Sequence, residues 1–152
     1  AALARLGGTW NVELLVWAMP DTPPVKSVGM SQNEMVMDGR FLESRFKGTF
    51  DGKPFVGTGH EGFDNVKRKY VSTWFDSMGT QIAYSEGEPS DNPDVIITYG
   101  NTVDPVSGEP RKTKGVLTIR SASVYTYEQF ESKTGEEWTK KLAIVYTRFE
   151  QG

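Results

Sequence analysis

From Gly8 onward, apolar and polar residues alternate along the chain rather than recurring at helical spacing. Trp10, Val12, Leu14 and Val16 interleave with Thr9, Asn11, Glu13 and Leu15, the period-two signature of a strand with one buried face. Ahead of it, residues 1–6 suit a single helical turn that Gly7-Gly8 ends. Pro20-Asp21-Thr22-Pro23-Pro24 excludes both helix and ladder and predicts a loop. Strand patterns then repeat with short interruptions, over Val25–Met37, Arg40–Phe50, the segment Gly57–Asp76, Gln81–Glu88, Val95–Tyr99, Thr113–Arg120, Val124–Glu131 and Glu137–Phe149. Asp38-Gly39 is the strongest two-residue hairpin signal, and Asp51-Gly52-Lys53-Pro54 is a second turn. Pro89–Pro93 and Asp104–Pro110 predict longer loops.

The segment Gly57–Asp76 reads as a hairpin that turns at Asp64-Asn65, with Lys67, Arg68 and Lys69 at a solvated tip. Its second arm is β-branched and aromatic, whereas its first carries Gly57, Gly59 and Gly62, too many for a good strand unless something approaches closely. A register that sets Phe63 opposite Tyr70, Glu61 opposite Ser72, Gly59 opposite Trp74 and Gly57 opposite Asp76 supplies that reason. The absent side chains make room for the indole and the carboxylate. In all, the pattern predicts about ten antiparallel strands in sequential contact. An open meander of that size would leave two long edges, which closure removes. The expected fold is therefore all-β: a closed up-and-down barrel with room for a small ligand, and a two-sheet sandwich as the alternative.

At 152 residues, the whole of 1–152 is expected to form one domain with a core of its own. A net charge of −3 with interspersed signs argues against a nucleic-acid surface, which needs a basic face. The absence of cysteine excludes disulfides, thiolate nucleophiles and zinc-finger sites, and leaves the redox compartment unreadable. No run of about 18 apolar residues occurs, so no membrane span is expected. The chain begins at Ala1 without methionine, which fits a trimmed leader or tag. A cytoplasmic location is the favoured expectation, a trimmed secretory leader the alternative, and a monomer or homodimer the expected assembly.

Gly8-Thr9-Trp10 on the first strand, with Arg148 on the last, resembles the lipocalin and wider calycin signature. That resemblance implies a tryptophan plugging the closed end of the barrel under an arginine from the final strand. A guanidinium stacked on an indole also makes physical sense as a seal. Asp38-Gly39-Arg40-Phe41-Leu42, Gly52–Gly57, Gly62–Asn65, Tyr70–Ser77 and Tyr146-Thr147-Arg148 together are similar to the domain-of-unknown-function family 1579, small bacterial lipocalin-like proteins. The likeness runs over nearly the whole chain from Gly8. It implies the barrel and, by analogy, an internal cavity, but no activity.

Candidate chemistry centres on Glu61 and Asp76, which in the predicted register share a face with Phe63, Tyr70 and Trp74. A carboxylate in an apolar lumen has its pKa raised by desolvation and becomes a base near neutral pH. The competing reading is structural: each carboxylate held by an arginine or backbone amide. Arg40 shares a face with Leu42, Ser44 and Phe46, and Glu43 shares the other with Phe41 and Arg45. Both faces mix apolar and charged residues, so either can point inward, and an inward arginine would clamp a ligand carboxylate. Tyr84, Tyr99, Tyr125, Tyr127 and Tyr146 offer phenols for a pocket, although most are expected in the core. His60 is the only histidine, which excludes multi-histidine metal sites; it is expected to face outward, with a haem-ligand role as a minor alternative. No metal or cofactor is expected.

The leading expectation is a barrel that binds a small, largely apolar or amphipathic molecule. Trp74, Tyr70, Phe63, Arg40, Glu43, Tyr84 and Tyr99 are the candidate contacts. The alternative is a cofactor-free lyase, isomerase or cyclase using Glu61 and Asp76. A third reading is an interaction scaffold whose interior is filled by its own aromatics.

Overall fold

A computed structural model describes residues 2–150. A 3₁₀ turn, Leu3–Leu6, precedes ten strands: β1 (Gly8–Val16), β2 (Val25–Val36), β3 (Phe41–Phe50), β4 (Lys53–Asp64), β5 (Lys69–Asp76), β6 (Ala83–Gly87), β7 (Val95–Val103), β8 (Pro110–Ile119), β9 (Val124–Ser132) and β10 (Thr139–Arg148). Each strand pairs with its sequence neighbours, and β10 pairs with β1 to close the barrel. The closing seam runs antiparallel from Trp10↔Arg148 to Val16↔Leu142. Closure satisfies the backbone groups that an open meander would leave at two edges.

Some boundaries differ from the sequence pattern. Asp38-Gly39 does not make a two-residue hairpin. Met37, Asp38 and Gly39 all have positive φ (55°, 61° and 77°), and the Arg40 N–H donates to the Val36 carbonyl at 3.1 Å, forming a wider turn. The tight hairpin is Asp51-Gly52, where φ values of 52° and 74° suit a type I′ turn. β7 continues to Val103 because the following turn is held by Asp104, whose Oδ1 accepts from the Val106 and Ser107 N–H groups. β8 begins at Pro110, at the first position of a strand, where a missing N–H is tolerated.

The inward residues of the lower half pack solid. Leu3 and Leu6 from the 3₁₀ turn meet Trp10, Leu42, Ile96, Leu117, Ile119 and Tyr125 in the buried core. Trp10 donates its indole N–H to the Leu6 carbonyl at 2.9 Å, and the Arg148 guanidinium carbon lies over its ring, 4.2 Å from the centroid. Arg148 also donates to the carbonyls of Gly7 (2.9 Å), Ala122 (3.0 Å) and Arg5 (3.4 Å), tying both chain ends and the β8–β9 turn into one floor. Gly8 sits at φ 120°, and a Cβ there would lie 2.6 Å from Arg148 Nη1, so the residue is glycine for two reasons. Asn33 completes the floor by donating to the Leu6 carbonyl and to Tyr125 Oη at 2.8 and 2.9 Å.

Candidate functional site

Above this floor the inward side chains stop meeting, leaving a cavity of about 410 Å³. Strand alternation decides what faces it. Val12 and Leu14 come from β1, Leu42, Ser44 and Phe46 from β3, Leu117 from β8, and Ile144 from β10. The β4–β5 ladder has the register the sequence predicts: Gly57↔Asp76, Gly59↔Trp74, Glu61↔Ser72 and Phe63↔Tyr70. Its Glu61, Ser72, Trp74 and Asp76 line the lumen, whereas Phe63 and Tyr70 lie below it and do not. The Trp74 ring lies flat over the two glycines. A Cβ on Gly57 would fall within it, and one on Gly59 would lie 2.8 Å from Cε3.

Glu61 sits deep in the lumen, its remaining accessible surface turned to the cavity. Among the described residues no group donates to it or pairs with it, and burial alone pushes its pKa up to about 7. Three phenols surround it. Tyr125 stacks on Tyr146 with centroids 4.1 Å apart, and Tyr127 donates to Gln129 Oε1 at 3.2 Å. Burial, and then the charge of Glu61, holds the Tyr127 and Tyr146 hydroxyls well above the usual phenol range. For Tyr125, burial is likewise the largest cause of a raised pKa.

Asp76 is placed differently. It lies toward the open end and accepts from Trp74 Nε1 at 2.7 Å and from the Met78 N–H at 2.9 Å. It orients the indole and caps a turn, the structural role weighed against acid–base work. Phe63 and Tyr70 meet edge to face at 5.1 Å, and Tyr70 packs against the buried core.

Arg40 and Glu43 stand outside the lumen. Leu42, Ser44 and Phe46 take the inward positions of β3, so Glu43 points out, where its Oε2 lies 3.0 Å from His60 Nε2. Arg40 sits in the exposed 37–40 turn near Asp38. His60 faces outward, as the alternation predicts, and is not positioned to ligate anything in the lumen. Tyr99 also lies outside, half exposed and tilted against Trp138. Tyr84 points its hydroxyl outward to Glu86 at 2.9 Å, yet its residue edges the cavity. β6 and β7 pair only at Ser85↔Gly100 and Glu86↔Tyr99. Above that point the wall parts, and Thr73, Tyr84 and Asn101 from the outward set reach the lumen.

Residues 1–148 match the family model described as protein of unknown function, DUF1579. The chain belongs to the DUF1579 family. Its closed ten-strand barrel fits a lipocalin-like fold. No curated protein sequence matches the chain. Among solved structures, this DUF1579 barrel is similar to Rv2717c from M. tuberculosis at TM-score 0.71 and 19% identity, covering 98% of this chain and 96% of that one. It is also similar to a de novo designed fluorescence-activating β-barrel (TM-score 0.55, 16% identity, 97% of both chains). A third similar structure is EF1p2_mFAP2b bound to DFHBI (TM-score 0.52, 16% identity, 97% of both chains). At such identities these likenesses establish the fold of the DUF1579 chain.

Sequence reasoning passed over Gln129 and Glu131, and named Tyr125, Tyr127 and Tyr146 only as general pocket candidates. The available signal was the run Tyr125, Tyr127, Gln129, Glu131 at alternate positions of β9, which the barrel turns inward together.

Proposed function

We propose that this barrel binds a small, largely apolar molecule that carries one polar group. The observation that carries the reading is an open-mouthed, mainly apolar cavity of about 410 Å³ in whose depth the buried carboxyl of Glu61 has no protein partner among the described residues. A lumen of this size falls within the usual range for small-molecule sites, and convergent polar groups in an apolar wall are what fix a ligand's orientation. An unpartnered buried carboxyl is costly unless something else satisfies it. The designed fluorescence-activating barrel and the DFHBI-bound structure, although similar only in fold, are consistent with ligand uptake by such a scaffold.

Fluorescence titration with N-phenylnaphthylamine, a neutral apolar probe, tests the reading. Saturable one-to-one binding with a blue shift is expected for the wild type, and its loss is expected in Ser72→Trp, which fills the lumen beside Glu61. Circular dichroism confirms that the variant folds. Probe binding that never saturates, or that survives the filled lumen, would overturn the reading.

A second reading, cofactor-free proton transfer, is favoured by one observation: Glu61 is poised near neutrality, where a general base works best. Glu61 would act without Asp76, whose oxygens are already engaged.

A further inference from the structure

The charge inventory of the lumen narrows the ligand class, on the premise that the lumen takes up a small molecule at all. Its ionisable carboxyls are Glu61, Asp76 and Glu131, and among the described residues no lysine, arginine or histidine lines it. The nearby cations are engaged elsewhere. Arg148 is spent on three carbonyls and the Trp10 ring in the floor. Arg111 is paired with Asp104 and Glu109 at the rim. Lys67 and Lys69 meet Glu86 on the outer wall, and His60 meets Glu43 there.

A ligand carboxylate entering this space would be desolvated with no counter-charge, beside a second carboxyl. An ammonium would meet the opposite situation. Glu61 offers it an ionic acceptor, and the phenol oxygens of Tyr127 and Tyr146, which line the same cavity, can accept from it as well. Asp76 and Glu131, nearer the mouth, add negative potential along the approach. We propose that the lumen selects amphipathic amines: an aromatic or aliphatic body against the apolar wall, with a protonated amine seated on Glu61. It discriminates against fatty-acid-like carboxylates.

Three matched probes separate this from simple apolar binding: naphthyl-butylamine, naphthyl-butanol and naphthyl-butanoate, each competed against N-phenylnaphthylamine. At about pH 8, where Glu61 is mostly ionised, the amine should bind about tenfold tighter than the alcohol, and the carboxylate about tenfold weaker. In Glu61→Gln the amine's advantage over the alcohol should shrink to about twofold or less. The advantage should also fade as pH drops below about 7 and Glu61 takes up a proton; the three phenols facing it stay protonated throughout. The midpoint moves lower once amine is bound, since the ammonium holds the carboxylate ionised. Equal binding of all three probes, tightest binding of the carboxylate, or failure of all three to displace the neutral fluorophore overturns the amine preference and leaves lumen binding standing. Failure of N-phenylnaphthylamine itself to bind removes the premise instead.

Discussion

At the scale of single residues, Glu61 sets a measurable cost. Burial raises its pKa in the fold from the ordinary 4.5 to about 7, so the native state holds its proton more tightly than the unfolded chain. Stability from this group is therefore full below about pH 4.5, falls as pH rises, and is gone above about pH 7. The shift corresponds to roughly 2–3 kcal/mol once some discount is made for a lumen that admits water. Glu61→Gln keeps the shape and removes the titration. Relative to wild type it should gain on the order of 5 °C in Tm between about pH 5 and about pH 8. Thermal unfolding of both proteins across that range checks this, and parallel pH profiles would mean that Glu61 is solvated after all. The inward placement of Glu61 was legible in the sequence because glycines at 57 and 59 demand a large partner, and Trp74 is the one the register offers. Arg40 and Glu43 were not legible. β3 carries charge on both faces of its pattern, and only the packing of Leu42 and Phe46 decides between them.

Among the elements, the floor is the most tightly specified. Arg148 combines three hydrogen bonds to carbonyls of two segments, Arg5 and Gly7 at the 3₁₀ turn and Ala122 at the β8–β9 turn, with a stack on Trp10, so its removal strands acceptors and uncovers an indole together. Arg148→Ala should cost about 2–4 kcal/mol in urea unfolding. Arg148→Lys should recover less than about half of that, because an ammonium cannot form the planar fork that stacks and donates at once. Full recovery by lysine would show that charge, not the plane, holds the floor. Most strand centres could be read from alternation alone, while their ends could not. The 37–40 turn and the extension of β7 depend on hydrogen bonds, Arg40 N–H to Val36 and Val106 N–H to Asp104, that residue types only permit.

For the whole molecule, closure is uneven, and that bears on how anything enters. The β1–β10 seam is paired over seven residues and β3–β4 over ten, whereas β6 and β7 share two. The interior there is bridged by one hydroxyl pair, Ser85 Oγ to Thr98 Oγ1 at 3.2 Å. Above it, Ala83 and Tyr84 face Asn101 and Thr102 across the cavity edge without a ladder. Backbone groups with few partners open first, so local unfolding should begin at this slit and leave the rest of the barrel standing. Native-state hydrogen exchange should give opening free energies for β6 amides on the order of 2–3 kcal/mol below those of β3 and β4. A ligand held in the lumen stabilises the closed form, so saturating N-phenylnaphthylamine should raise protection in β6 more than in the β1–β10 seam. Uniform protection around the barrel, or a probe that protects every strand equally, would place the way in at the broad upper mouth rather than between β6 and β7.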